Sequence, residues 1–301
     1  MTNNPTDPGS IFTERYLKMM FSGLRNATID DIHNELRQCE ADNRKPIRIP
    51  RKFRNFFHET AFTASNGFKM PVFKADGSPD KAPVVFLHGG AFIYQPVFFH
   101  WRFLHDIAIR SHRSVIMPIY PKSPEYQCAT AVETLLEFLQ TELQSDNVVL
   151  IGDSAGGCLA TVLTQELWQH NSPYVEHLIT ISPCLDLSYS QEAKMREYQN
   201  LDQLILLERL MTITAIWRGE LPECHPWASP VFGNLKALEG SSLFVGTDEL
   251  LRADAELLHD SMQKQELQID YQLYNGMFHT FPLFPIPEGF EAVKKIAAWL
   301  Q

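Results

Sequence analysis

From Ala82 onward, short apolar strands alternate with segments of helical length, and this alternation limits the fold more than any other feature of the chain. "APVVFLH" (82–88), "SVIMPIY" (114–120), "NVVLIG" (147–152), "HLITIS" (177–182), "SSLFVG" (241–246) and "IDYQLY" (269–274) are short apolar runs of strand length. Between most of them, 98–112, 129–144, 155–170, 249–265 and 288–300 have helical length and pattern. That order predicts an α/β fold, with a mostly parallel sheet covered on both faces. Upstream, "FFHETAF" and "FKMPVFKA" read as strands around a turn at Asn66-Gly67, which brings the expected sheet to about eight strands.

Two helices are expected to open the chain. Tyr16, Leu17, Met20, Phe21 and Leu24 share one face of 12–25. Thr28 can cap a second helix, with Asp31 three residues on and Ile29, Ile32, Leu36 and Cys39 as its apolar stripe. One later connection is too long for a simple crossover. Nearly sixty residues separate Ser182 from Ser241, including "LDQLILLERLMTITAIW" (201–217). A helical cap over the strand ends is expected there, because sites in open α/β sheets lie beyond the carboxyl ends of the strands. The expected division is therefore 1–45 as helices contributing to a cap, 46–184 and 223–301 as the core, and 185–222 as the cap insertion.

Charge narrows the partners. Lys and Arg number 26 against 36 Asp and Glu, a net charge of −10. That argues against nucleic acid and anionic membranes, which need a basic surplus; the basic run "RKPIRIPRKFR" (44–54) reads as a solvated loop. No apolar run approaches the ~18 residues of a membrane span, and the polar N-terminus has no apolar signal region. The five cysteines are scattered, with no C-x-x-C pair, so neither a zinc site nor a disulfide framework is indicated and a reduced cytoplasm is expected.

The chemistry centres on "VVLIGDSAGG" (148–157). Gly152-Asp153-Ser154-Ala155-Gly156 stands between a predicted strand and a predicted helix, the context in which a strained turn displays a serine. The glycines let strand and helix approach without Cβ clashes, and the helix start directs N–H groups at developing negative charge. A serine hydroxyl needs a base, and the base needs an orienting carboxylate. Of eleven histidines, His279 stands out. It lies in "YNGMFHTF", a loop just past the last predicted strand, and such loops display functional side chains. His88 is the runner-up, but it belongs to the loop "HGGAF" and more plausibly props its shape. Asp248, two residues past strand 241–246, is the expected carboxylate; its alternative role is to cap the helix that follows. Glu249 and Asp254 are rivals that lie further into that helix. The order Ser154, Asp248, His279 is the one described for α/β-hydrolases. At the end of strand 82–88, the Gly89-Gly90 turn leaves N–H groups free to stabilise an oxyanion, with Ala155 adding another.

With these residues in view, the chain resembles bacterial hormone-sensitive-lipase-type esterases of the α/β-hydrolase superfamily. The matches are His88-Gly89-Gly90-Ala91, Gly152-Asp153-Ser154-Ala155-Gly156-Gly157, Asp248 in "GTDELLRAD" and His279 in "MFHTF". "YPKSPEYQCATAVE" (120–133) and "WASPVF" (227–232) agree with two quieter family blocks. The likeness is good over 80–301; residues 1–79 resemble the family only as two helices leading into strands. It implies an α/β-hydrolase fold with a helical cap and a carboxylic-ester hydrolase that needs neither metal nor cofactor. It also implies a small short- or medium-chain acyl ester as the substrate. The expected oxyanion donors are Gly90 and Ala155, with Ala91 or Gly89 as the third. The pocket is expected to involve Phe92 and Asp153, with cap residues of 12–25 and 201–217. Three positions depart from the family pattern: Ala91 replaces a third glycine, Thr280 the glycine after the histidine, and Ala129 a proline. None removes a group that the chemistry needs. An amide, formamide or lactone hydrolase with the same three residues, and a non-catalytic receptor on this fold, are the alternatives. A homodimer paired through "IDYQLY" is a further expectation.

Overall fold

The computed structural model describes residues 29–143, 147–170 and 174–301. The helix expected over 12–25 lies outside the described residues. In chain order the elements are α1 (Ile29–Asn43), β1 (His58–Thr63), β2 (Lys69–Ala75), β3 (Val84–Leu87), α2 (Phe98–Ser111), β4 (Val115–Pro118), α3 (Cys128–Thr141), β5 (Asn147–Asp153) and α4 (Ala155–His170). There follow β6 (Tyr174–Ile181), α5 (Glu192–Tyr198), α6 (Leu207–Arg218), β7 (Ser241–Gly246), α7 (Arg252–Lys264), β8 (Ile269–Tyr274) and α8 (Pro287–Trp299). Each strand expected from the sequence is present.

The eight strands form one sheet in the order β1-β2-β4-β3-β5-β6-β7-β8. β1 pairs with β2, and β2 with β4, in antiparallel fashion; the remaining pairs are parallel. The period of two decides which core each residue joins. Val85, Leu87, Val148 and Leu150 pack on one face with α3, α4 and α7. Val84, Phe86, Val149 and Ile151 pack on the other with α2 and α8. All eight are 0% exposed, and each such side chain contributes about 1.5–3 kcal/mol through burial.

Strand order reverses at β3, with β4 on one side and β5 on the other. Loops leaving the carboxyl ends of β3 and β5 therefore diverge and leave a crevice. The register pairs Leu87 with Gly152, so the loop beginning at His88 starts beside Asp153 and Ser154.

Two boundaries differ from expectation. Segment 201–217 is not a single helix: α6 starts at Leu207, because Asp202 takes the N–H groups of Leu204 (2.7 Å) and Ile205 (2.9 Å) into a turn. Likewise α7 starts at Arg252 rather than at 249. Near the crevice, Ile32, Leu36 and Cys39 of α1 form a small core with Ile213 of α6 and Ile93 of the loop after β3. Arg209 of α6 crosses it, pairing with Glu35 at 2.5 Å and donating to the Tyr94 hydroxyl at 2.6 Å. Among the described residues, no helix is long and apolar enough to cross a membrane.

Candidate active site

Ser154 occupies the turn between β5 and α4 with φ = 51°. A non-glycine residue rarely adopts this left-handed conformation, and here the surroundings enforce it. Ser154 N–H donates to the Ile181 carbonyl at 2.8 Å, while its carbonyl accepts from Cys158 (3.1 Å) and Cys184 (3.2 Å). Neighbouring glycines make room. A Cβ on Gly152 would stand 2.2 Å from the Gly156 carbonyl oxygen, and one on Gly156 would stand 1.9 Å from that of Leu87. The spacing of the motif is thus dictated by backbone contact on both sides of the serine.

The Ser154 hydroxyl lies 2.9 Å from Nε2 of His279. Nδ1 of the same ring lies 2.8 Å from Oε2 of Glu249. This corrects the expectation for the carboxylate: Glu249, not Asp248, meets the imidazole. Asp248 contributes its main chain, donating N–H to the Met277 carbonyl at 2.9 Å, while its carboxylate accepts from the Thr247 hydroxyl at 2.7 Å. The reason is local. Residues 247–251 form a turn rather than a first helical turn, and Oε1 of Glu249 reaches back to the Gly246 N–H at 2.6 Å. That bond aims Glu249 into the site. The other rival, Asp254, is buried and accepts from the N–H groups of Leu185 (2.7 Å) and Asp186 (3.1 Å).

Ser182, which the sequence marks only as a strand end, completes the brace. Its hydroxyl donates to Oε1 of Glu249 at 2.8 Å and accepts from the Thr280 N–H at 2.9 Å. One side chain so joins the carboxylate to the histidine loop. The only signal in the sequence was its place at a strand end, just past "HLITI". Thr280 has φ = 55°, the left-handed conformation that a glycine would take without steric cost.

Nearby charge raises the basicity of the imidazole. Burial lowers the His279 pKa, but the hydrogen bond and charge of Glu249, followed by the charges of Asp202 and Asp153, outweigh it and leave the value raised. His88 goes the other way. Buried completely, with Lys122 and His100 nearby, it is held neutral, far below the ordinary imidazole range. It stacks on Tyr120 at 4.7 Å, and its Nδ1 sits 2.7 Å from the Gly89 carbonyl oxygen. His88 therefore shapes the loop, as expected.

That loop carries three successive unusual residues, Gly90 (φ = 122°), Ala91 (50°) and Phe92 (63°). Among the described residues, the N–H groups of Gly90, Ala91 and Ala155 have no protein acceptor. Gly89 is different, because its N–H donates to Oδ1 of Asp153 at 2.8 Å. Of the two expected third donors, Ala91 is free and Gly89 is engaged. Asp153, expected in the pocket, is occupied by two partners. It is 2% exposed, and its Oδ2 lies 3.3 Å from Nε2 of His100. Nδ1 of His100 accepts the Val97 N–H, so the ring proton sits on Nε2, facing Asp153. Phe92, also expected in the pocket, is 1% exposed and stacks on Trp217 of α6 at 4.4 Å and 12°. Its ring is closed off by that indole. Among the described residues, no three His, Cys, Asp or Glu side chains gather as a metal site requires.

A serine bonded to an imidazole, an imidazole bonded to a carboxylate and free N–H groups alongside form the arrangement described for α/β-hydrolases, on a sheet of that fold. A family model for the alpha/beta hydrolase fold matches residues 84–283, and the chain belongs to that family. It is similar to an esterase of Acinetobacter venetianus RAG-1, 29% identical over 238 residues that span 77% of this chain and 78% of that one. Among solved structures, a hyperthermophilic esterase from the archaeon Pyrobaculum calidifontis superposes with a TM-score of 0.80 at 24% identity, covering 99% of this chain and 98% of that one. An esterase from the bacterial hormone-sensitive lipase family superposes with a TM-score of 0.78 at 23% identity, covering 100% and 98%. At these identities the two structures speak to the fold.

Proposed function

We propose that the chain is a serine carboxylesterase that cleaves short- and medium-chain acyl esters through an acyl-Ser154 intermediate. The observation that carries this reading is the unbroken chain Ser154–His279–Glu249, with contacts of 2.9 and 2.8 Å. Nε2 of His279 takes the hydroxyl proton as Oγ of Ser154 attacks the ester carbonyl. Negative charge collects on the carbonyl oxygen, facing the N–H groups of Gly90, Ala91 and Ala155. As the tetrahedral species collapses, the C–O bond breaks and His279 returns the proton to the departing alcohol. Water then adds to the acyl-serine with His279 as base, and the acid leaves. Glu249 fixes the proton on Nδ1 and stabilises the imidazolium.

Helices α1, α5 and α6 serve as the cap in this reading, and the small core at Ile93 and the Arg209–Glu35 pair support it. A dimer paired through β8 at the sheet edge remains part of the proposal; a size-exclusion mass at the monomer value would remove it. The activity is tested with p-nitrophenyl esters graded by acyl length. Wild type should hydrolyse the short members and S154A none. A wild type inactive on the whole panel would sink the esterase reading, and an S154A variant as active as wild type would remove Ser154 as nucleophile.

A further inference from the structure

Asp202 is a second buried carboxylate near His279, and it comes from the insertion rather than from the strand ends. It is 1% exposed and lies between α5 and α6. Its Oδ1 accepts the N–H groups of Leu204 and Ile205, at 2.7 and 2.9 Å. Its Oδ2 accepts the N–H of Leu250 at 2.7 Å. Leu250 follows Glu249 directly, so this bond anchors the turn that aims Glu249 at the imidazole. The same carboxylate is close enough to His279 for each charge to act on the other. A carboxylate held only to shape its own turn would not also take an N–H from 48 residues further along the chain.

We infer that Asp202 is a positioning residue for proton transfer: from the insertion it anchors the Glu249 turn and adds negative charge behind the imidazolium of His279. The inference rests on the reading of Ser154, His279 and Glu249 as the reacting set. The charged groups acting on His279 are Glu249, Asp202 and Asp153. Burial raises the Asp202 pKa, and the charge of His279 and the N–H groups of Leu250, Ile205 and Leu204 oppose that rise.

The test is the pH profile of kcat/KM on a short-chain p-nitrophenyl ester for wild type, D202N and D202E, with folding followed by circular dichroism. His279 must be neutral to act as base, so activity rises with pH through its pKa. Removing the Asp202 charge lowers that pKa, and the acid limb of D202N should move to lower pH. Its kcat should fall about ten- to a hundredfold, the range for losing a hydrogen bond to a charged group, with KM changed less than about twofold. D202E should move the limb back towards wild type. A D202N profile superimposable on wild type overturns the inference, as does a loss confined to KM. If D202N does not fold, D202S is read in its place, since its hydroxyl can keep the turn without the charge. If neither folds, Asp202 holds the fold rather than the imidazole, and the inference falls. S154A separates the two layers: an active S154A refutes the reacting set, whereas an inactive S154A beside a wild-type-like D202N refutes Asp202 alone.

Discussion

Replacing Glu249 by Gln changes the site by one proton-bearing group at almost constant shape. Oε1 of Glu249 accepts from Ser182 and Gly246, at 2.8 and 2.6 Å, and Oε2 faces Nδ1 of His279 at 2.8 Å. In E249Q the amide oxygen keeps the two donors, which leaves the NH2 group against Nδ1. An amide nitrogen only donates, so Nδ1 must become the acceptor and the ring proton must move to Nε2. Nε2 is the atom 2.9 Å from the Ser154 hydroxyl, and it can then no longer take that proton. Fixing the wrong tautomer in this way costs about 10⁴-fold in kcat, or about 5 kcal/mol of barrier. D248N should stay within about threefold of wild type, because Asn can still accept from Thr247 and the main-chain bond to Met277 is untouched. Burst and steady-state kinetics on a short-chain p-nitrophenyl ester read both variants, with a thermal melt to confirm folding. A large loss in D248N beside a near-normal E249Q would refute the geometric assignment.

Three further outcomes are expected. G90A should lose about 10²-fold or more in kcat, the scale of one displaced oxyanion donor, because φ = 122° excludes an L side chain and its Cβ would press on Tyr94 at 3.0 Å; A91G keeps its N–H and should remain within about threefold, so equal losses in the two would show that the backbone donors do not matter. K122M should stabilise the fold by about 1–4 kcal/mol at pH 6, as when a buried charge gives way to an apolar group. Burial pushes the Lys122 ammonium down to about 7, so the native state binds fewer protons than the unfolded chain from about pH 7 to about 10. Wild-type stability should therefore rise with pH across that window; urea melts of K122M should show a flatter slope, and an unchanged slope would rule out the effect. G156A should lower stability by about 1–3 kcal/mol as strand and helix are forced apart, given the 1.9 Å contact with Leu87; an unaltered melting temperature would contradict it.

The sheet was readable because its strands are short apolar runs between turn residues, and burial on both faces demands such runs. Ser154 and His279 were readable because each follows a strand end. The carboxylate was misread by one position, for a physical reason. Periodicity places Thr247 and Asp248 at a helix start, where Asp248 looks best displayed and Glu249 looks absorbed. The helix actually waits until Arg252, since the Glu249 side chain takes the Gly246 N–H and Asp202 takes the Leu250 N–H. Both bonds are invisible in a one-dimensional pattern, and one crosses 48 residues of chain. Gly89 was equally undecidable, because its N–H is claimed by Asp153 from another strand. Ser182 carried no motif at all; only its contacts with Glu249 and Thr280 reveal it.

The bond from Gly89 to Asp153 has a consequence for how the site can fail. Asp153 sits between Gly152 and Ser154 in the chain, so its carboxylate clips the loop after β3 to the Ser154 turn. Glu249 and His279 are tied instead to Ser182 and to the 246–250 turn. Different side chains thus brace the two halves, although both also meet at the end of β6, where the Ser154 main chain bonds to Ile181 and Cys184 on either side of Ser182. On the proposed mechanism, a disturbance entering through Asp202 should degrade proton transfer first, while the Gly89–Asp153 bond keeps the loop after β3 beside Ser154. Damage of that kind would slow attack by Ser154 on esters and on phosphonylating reagents alike, since both need His279 to take the hydroxyl proton.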